Sequence, residues 1–456
     1  MSTSPRIDVT LACPRCDRAP LERRDSTYFC AGCKIAFDDF AGVPWLFAEP
    51  QAAFAEWRAR WHFSLRVIEQ RVASIDRALA AADLKTAARE RLNRRRALEQ
   101  TQAKRLLALL APLDVDTATT SFSTYLALRT RLPPDQGLLT YYNNVHRDWA
   151  WGDEENAASL DLVKTVLDTH AAQRILVLGA GAGRLAYDVH AATQAVTTVA
   201  LDFNPLLVLI GQRVAAGEAI ELIEFPLAPR SAAEQAVDRT LRAPEPARPG
   251  LAWILADVHR PPFAQQSFDT VVTPWLIDIV PERLDELSAR VNQLLGEHGV
   301  WINFGSLSFG EADPAAQYGL EECGEILQSS GFDSVRFESR TIPYMCSPSS
   351  RHGRREEVVA WSATKRHHIK KVGRYEALPD WLVRGQSPIP HSKAVQTQAM
   401  SAQVHGFLLS LIDGKRTLKD IARIATERKL VGAADAESTI RSFLIKVYDE
   451  GRKLGM

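Results

Sequence analysis

The chain has no apolar run approaching the roughly 18 residues that a membrane span needs, so no membrane association is expected. It carries no net charge either: 55 Lys and Arg balance 55 Asp and Glu, which excludes a global field toward nucleic acid or an anionic surface. The start, Met1-Ser-Thr-Ser-Pro-Arg6, has no apolar core of a secretory signal, and a cytoplasmic protein is expected. Cysteine is scarce. Cys323 and Cys346 stand alone and read as small hydrophobes rather than a disulfide, while the other four cluster near the N-terminus. Internal repeats and long low-complexity tracts are missing. What remains, 456 residues at 46% hydrophobic and 24% charged, is a globular composition long enough for two to four domains at roughly 100–200 residues each.

Composition shifts divide the chain. Residues 1–48 are turn-rich and hold the clustered cysteines. Residues 50–135 open as a helical lead-in rich in Ala, Arg, Leu and Glu. Residues 137–365 alternate short β-branched runs with amphipathic stretches, the pattern of an α/β fold with a parallel sheet. Within them, Arg230–Gly250 reads as an inserted loop, because Pro recurs at 244, 246 and 249. Residues 366–395 read as a linker and 396–456 as a small helical unit, in which Thr417 is placed to cap a helix.

Cys13-Pro-Arg-Cys16 and Cys30-Ala-Gly-Cys33 are two knuckles thirteen residues apart. Four thiolates so spaced fit one tetrahedral Zn²⁺, and four protein ligands leave no open position for chemistry, so a structural zinc ribbon is expected. Redox pairs are the alternative, but they come singly beside a βαβ unit. The basic run Arg89–Arg96 reads either as a nucleic-acid patch or as a solvated helix face; it lacks aromatics to stack bases.

Arg174-Ile-Leu-Val-Leu178 reads as a strand that ends at Gly179-Ala-Gly181-Ala-Gly183, with Arg184 opening a helix. Such a loop lets backbone N–H groups approach a ligand, and dinucleotide sites share it. Val199-Ala-Leu201 then ends in Asp202, an acid placed to accept from ribose hydroxyls. Asp257 follows a third strand, where it faces an adenine ring or is an ordinary loop acid. Phe268-Asp-Thr-Val-Val272 is the fourth strand. This order favours S-adenosylmethionine (SAM) over NAD and a class I SAM-methyltransferase, Rossmann-like sheet.

Further elements are more specific: His146-Arg-Asp-Trp149, Gly152 and Glu154-Glu155 before the loop; Thr273-Pro-Trp-Leu-Ile-Asp278 after the fourth strand; and Trp301-Ile-Asn-Phe-Gly305. With the glycine loop, the series over residues 137–362 resembles the carnosine N-methyltransferase family, which methylates an imidazole nitrogen with SAM. The resemblance implies that Asn144 and Arg147 lie near the cofactor carboxylate, that Asp278 faces the acceptor imidazole and that Tyr344 lines the pocket. Two positions depart: Gly310 stands where the family has a substrate-contacting His, and the family's second pocket Tyr, which would fall near Glu356, is absent. An imidazole-containing small molecule or a peptide side chain is therefore the expected acceptor. Asp278 alternatively reads as the N-cap of a helix over Pro281–Leu295.

In the C-terminal unit, Val404–Leu411, Leu418–Thr426 and Ala436–Tyr448 read as three amphipathic helices. The stretch Leu411–Ala422 resembles winged-helix domains that bind precursor peptides in peptide-modifying enzymes, which implies a protein or peptide partner; a dimerisation or lid domain is the alternative. An RNA methyltransferase using the ribbon and the basic helix is the competing function, although Thr273-Pro-Trp-Leu stands where an Asn/Asp-Pro-Pro-aromatic motif would be. A binding protein with a vestigial site is the third.

Overall fold

Alternating runs of β-branched residues and amphipathic stretches dictate a layered α/β fold, and that is what forms. The computed structural model describes residues 7–113, 137–310, 314–369, 381 and 387–453. It divides into two units, Met1–Ala377 and Leu378–Met456. Residues 114–135 of the helical lead-in and most of the linker lie outside the described residues.

The first unit opens with β1 (Glu22–Arg24), β2 (Thr27–Cys30) and β3 (Ile35–Phe37), an antiparallel sheet, and the ribbon β4 (Asp39–Phe40) with β5 (Val43–Pro44). Two long helices follow, α1 (Pro50–Leu79) and α2 (Thr86–Leu109). On α1 the buried residues Trp57, Trp61, Ser64 and Ile68 recur every three or four positions, one stripe facing the core. Most of the arginines of α2 are engaged by other groups of the chain. Arg95 pairs with the buried Glu99 and donates to the Gln235 carbonyl, Arg91 to the Gln235 side chain, Arg89 to the Leu79 carbonyl, and Arg96 pairs with Asp76.

The short α3 (Tyr142–His146) widens into a π-helical turn, Arg147–Trp151, before α4 (Asp153–Leu167). His146 is wholly buried, and burial together with Arg239 holds its pKa down at about 3. The folded state therefore keeps this ring neutral, so its contribution to stability is complete above pH 6.5 and falls as pH drops toward 3. Lowering the pH to 5 is expected to cost about 2 kcal/mol through this group. Urea unfolding across pH should show the slope, and His146→Phe should remove it; an unchanged slope places the acid lability elsewhere.

The main sheet comprises β6 (Arg174–Leu178), β7 (Thr197–Asp202), β10 (Leu251–Leu255), β11 (Phe268–Pro274), β12 (Leu295–Gly305), β13 (Phe332–Tyr344) and β14 (Arg354–Lys365). Its order is β10-β7-β6-β11-β12-β14-β13. The pairings from β10 through β12 are parallel, and β14 runs antiparallel between β12 and β13. Helices α5 (Arg184–Ala192), α6 (Pro205–Ala215), α7 (Leu284–Leu294) and α8 (Leu320–Ser329) are its crossovers. This is the Rossmann-like methyltransferase architecture anticipated above. Both faces are covered, which is why β6 reads as a nearly continuous apolar run and β7 carries Val199-Ala-Leu201 at its centre.

One expectation fails. Arg230–Gly250 is not only a loop: β9 (Val237–Leu241) pairs antiparallel with β8 (Ile220–Glu224) in a hairpin outside the main sheet. Its polar residues, Asp238, Arg239 and Thr240, hid the strand, since only one face is covered. The proline-rich remainder is held by Arg248, which donates to the carbonyls of His190 and Thr193.

In the second unit, α9 (Lys393–Ser410), α10 (Leu418–Glu427) and α11 (Ala436–Lys453) bury Leu408, Leu411, Ile421, Ala425 and Ile440 together. Thr417 caps α10, accepting from the Asp420 N–H in a capping box. Among its described residues there is no strand, so the three helices form without the wing that the winged-helix expectation requires.

Candidate active site

The strand order reverses between β6 and β11, so their following connections diverge to opposite sides and open a crevice at the carboxyl ends of the strands. A cavity of about 640 Å³ occupies it. Asn144, Arg147, Gly179, Gly181, Arg184, Asp202, Asp257, Asp278 and Tyr344 all line it. Residues dispersed over two hundred positions of chain are thus brought to one space by the sheet.

At the end of β6 the chain turns through Gly179 (φ 68°) and Gly181 (φ 59°). A Cβ on Gly181 would have nothing within 4 Å, so the loop is a cradle open to a ligand. The Gly181 N–H donates to Asp202 Oδ2 at 2.8 Å, and the Asn204 N–H to Oδ1 at 2.9 Å. Burial pushes the Asp202 carboxyl up, and these N–H donors oppose it. Each oxygen keeps an accepting lone pair for hydroxyls. Gly183 does not line the cavity. Its role is packing: a Cβ there would lie 2.0 Å from the Trp253 ring.

Asp257, beyond β10, accepts from the His259 N–H at 2.9 Å and Nδ1 at 2.7 Å. Burial raises this carboxyl, but His259 more than offsets it and holds the pKa below the ordinary value. His259 also lines the cavity and was not anticipated.

The Arg147-Asp148-Trp149 element is pinned to the glycine loop, with Trp149 Nε1 donating to the Ala182 carbonyl at 2.9 Å. Arg147 donates through Nε to Asp148 (2.7 Å) and through Nη1 to Glu155 (2.9 Å), while Glu155 also accepts from the Met345 N–H. These bonds leave Nη2 for an anionic ligand group. Arg184 is largely spent: it pairs with Asp188 and donates to the Asp148 carbonyl at 2.7 Å, bracing the loop. Because Asp148 and Glu155 are buried, Arg147→Ala strands two carboxylates and is expected to cost about 3–5 kcal/mol of folding free energy. Denaturant unfolding checks this; an unchanged midpoint contradicts the clamp.

Asp278 is not a helix cap, since α7 begins at Leu284 behind Arg283. Its Oδ2 accepts from Ser306 Oγ at 2.7 Å and the Ser308 N–H at 3.1 Å. Oδ1 has no protein donor among the described residues. Beside it the Trp275 ring lies 4.8 Å from Tyr344 and 5.7 Å from Phe304. Burial raises the Tyr344 phenol. Tyr141 lines the same cavity, and burial raises its phenol, with Asp202, Tyr344 and Asp278 adding to it. A Cβ on Gly310 would meet nothing within 4 Å among the described residues, and Glu356 is bonded to Arg354, whose guanidinium lies 4.5 Å over the Tyr344 ring.

Residues outside 137–365 also line the cavity: Phe47, Ala53, Glu56, Trp57 and Arg60. The 3%-exposed Trp57 packs on Phe203, next to Asp202, at 5.5 Å. The site therefore includes the helical lead-in. Its signal was the Trp57–Trp61 pair, one turn apart on an otherwise Ala- and Arg-rich helix.

The sulfurs of Cys13, Cys16, Cys30 and Cys33 all lie within 4.8 Å of one another, Cys16 and Cys30 at 3.5 Å. Tetrahedral Zn–S bonds of about 2.3 Å set sulfur separations of about 3.8 Å, which this cluster fits. Burial raises the Cys13 and Cys33 thiols, Cys33 to about 11. A divalent ion is what makes four adjacent thiolates stable. The module docks on the main sheet. Trp45 bridges Leu255, the Leu46 N–H donates to the Leu255 carbonyl at 2.8 Å, and the Ala12 N–H to that of Pro262. It thereby covers the β10 edge. Mercurial release is expected to free one zinc per chain and to lower thermal stability; a chain prepared with zinc but holding none would contradict this.

No family model and no curated protein matches the chain. Among solved structures it is similar to Haemonchus contortus phosphoethanolamine N-methyltransferase 2 in complex with phosphomonomethylethanolamine and S-adenosylhomocysteine, at 15% identity and TM-score 0.33. That match covers 52% of this chain and 61% of the other, so the chain spans about three fifths of that protein's length. A Thermotoga maritima SAM-dependent methyltransferase, described as a possible histamine N-methyltransferase, is similar at 15% identity and TM-score 0.30, over 54% of this chain and 98% of that one. The N-methyltransferase NodS of Bradyrhizobium japonicum is similar at 13% identity and TM-score 0.31, over 47% of this chain and 97% of that one.

Proposed function

We propose that the first unit is a SAM-dependent N-methyltransferase acting on an imidazole-type nitrogen of a small molecule or peptide side chain. One juxtaposition carries the reading: the glycine cradle, Asp202 and Asp257 line the same cavity as Asp278, Trp275 and Tyr344. When bound, SAM supplies an electrophilic methyl and retains the electron pair of the broken C–S bond. The backbone of Gly179–Gly181 gives close approach, Asp202 accepts the ribose hydroxyls, Asp257 faces the base, and Asn144 and Arg147 Nη2 meet the carboxylate. Asp278, held by Ser306 and Ser308, accepts the acceptor's N–H. That fixes the tautomer, so the other ring nitrogen keeps its lone pair for the methyl. The ring becomes cationic on methylation, Asp278 offsets the charge, and the N–H proton leaves toward it or water. The aromatic wall of Trp275 and Tyr344 excludes competing water.

The four-cysteine module is read as a structural zinc site, and a peptide or protein partner is read for the second unit. The engagement of Arg89, Arg91, Arg95 and Arg96 within the protein weighs against an RNA acceptor. Incubating a cell extract with isotope-labelled SAM and the protein, followed by mass spectrometry, tests the reading. Label on an imidazole nitrogen is expected; label in RNA would replace this function with the competing one, and a chain that binds no SAM would remove both.

A further inference from the structure

The four-cysteine module grips one wall of the cavity at both ends. That wall is the loop after β10, residues 256–264, from which Asp257 and His259 line the cavity. Where the loop begins, the Leu46 N–H donates to the Leu255 carbonyl at 2.8 Å. Where it ends, the Ala12 N–H donates to the Pro262 carbonyl at 3.0 Å and the Ala264 N–H to that of Thr10 at 2.9 Å, with Leu11 bridging Phe263 between them. Residues 10–12 run directly into the first ligand, Cys13, whose N–H closes the knuckle on the Arg18 carbonyl at 2.9 Å.

A second wall has the same anchor. Arg15, between Cys13 and Cys16, pairs with Glu49 at 3.3 Å, and Trp45 Nε1 donates to the Pro50 carbonyl at 3.0 Å. These contacts hold the start of α1, and Phe47, Ala53 and Trp57 of this stretch line the cavity. The metal knuckle thus joins two walls that the sheet does not itself connect. Between them, Asp257 takes both bonds from His259 on Oδ1, and its Oδ2 has no protein donor among the described residues. An acceptor oxygen so placed favours a base that offers an amino group and opposes one that offers a carbonyl.

We propose that the zinc module is a specificity-determining part of the cofactor site: with the metal in place it holds the Asp257 loop and the start of α1 in register, and the chain then selects adenine through its exocyclic amino group. The proposal rests on the reading above, in which SAM occupies the cavity with its base at Asp257. Zinc and cofactor are then coupled, each strengthening the other by the same factor. A module that only helps the chain to fold couples differently. Any ligand of the folded state, at an equal multiple of its dissociation constant, would raise the zinc affinity equally.

The test is the zinc affinity of the full chain, measured by competition with a chelator of known affinity. It is measured alone, with S-adenosylhomocysteine and with S-inosylhomocysteine, in which a carbonyl oxygen replaces the exocyclic amino group. Each ligand is held at the same multiple of its own dissociation constant. S-adenosylhomocysteine is expected to raise the zinc affinity about tenfold, and the inosyl compound to leave it within about twofold. Equal strengthening by both reduces the module to a folding element, and no strengthening by either means that the walls are held without it. Both results overturn the proposal and leave the methyltransferase reading standing, as does a chain prepared with zinc that holds none. A chain that fails to bind S-adenosylhomocysteine overturns the two together.

Discussion

Asp278→Asn is expected to bind SAM with wild-type affinity and to transfer the methyl group roughly 100- to 1,000-fold more slowly. The two halves of this expectation have separate structural causes. SAM is assigned to the glycine cradle and Asp202, and no hydrogen bond links these to Asp278 among the described residues. The carboxylate's own partners, Ser306 Oγ and the Ser308 N–H, are both donors to Oδ2, so an Asn in the same rotamer keeps them on its carbonyl oxygen. What changes is the other atom. Oδ1 becomes an NH₂ donor, which opposes an imidazole N–H instead of accepting from it and cannot offset the charge that methylation creates. The acceptor is then held in the wrong tautomer or not at all. Calorimetry gives the dissociation constant, and the initial rate of S-adenosylhomocysteine formation with the identified acceptor gives the turnover. A wild-type rate would end the assignment of Asp278.

Gly183→Ala is expected to destabilise the fold and to abolish SAM binding. Gly183 has φ 76° at the N-cap of α5, a conformation that costs an L-residue roughly 1–3 kcal/mol. The added Cβ would also stand 2.0 Å from the Trp253 ring. Gly211 borders the same ring, where a Cβ would be 2.5 Å from it, so the Trp253 ring tip is tightly held. Overpacking of this kind adds roughly 1–3 kcal/mol. The total, about 2–6 kcal/mol, is a large share of ordinary domain stability. Denaturant unfolding should show it, with SAM binding lost as α5 and the loop are displaced. An unchanged midpoint with unchanged SAM binding would mean that the notch yields and that the account of the loop is wrong.

The strands that build the site were legible because both their faces are buried, so that apolar runs such as Ile175–Leu178 and Val199–Leu201 stand out. Arg174–Leu178 coincides with β6, and Val199–Leu201 lies within β7. Strand β9 was hidden for the opposite reason, since a half-exposed hairpin strand such as Val237–Leu241 carries as many polar as apolar residues. The wing of the second unit illustrates a different limit: a likeness over the turn and helix of Leu411–Ala422 says nothing of strands that other residues must form.

Sequence alone determined the local chemistry. The glycines that can take positive φ, the acids at strand ends and the cysteine spacing are each set by neighbours a few residues apart, and the chain order of the strands implied the sheet. Only the tertiary structure decided which of these residues share a space. It turned Gly183 from a ligand contact into a packing residue, gave Arg147 two carboxylates to satisfy, spent the α2 arginines on Gln235 and Glu99, and brought Trp57, Tyr141, His259 and Arg354 to a cavity that nothing in their own segments announced. The physical reason is that hydrogen-bond donors and aromatic rings are indifferent to sequence distance. Their partners are chosen by the packing of sheet and helices, and the packing is a property of the whole chain.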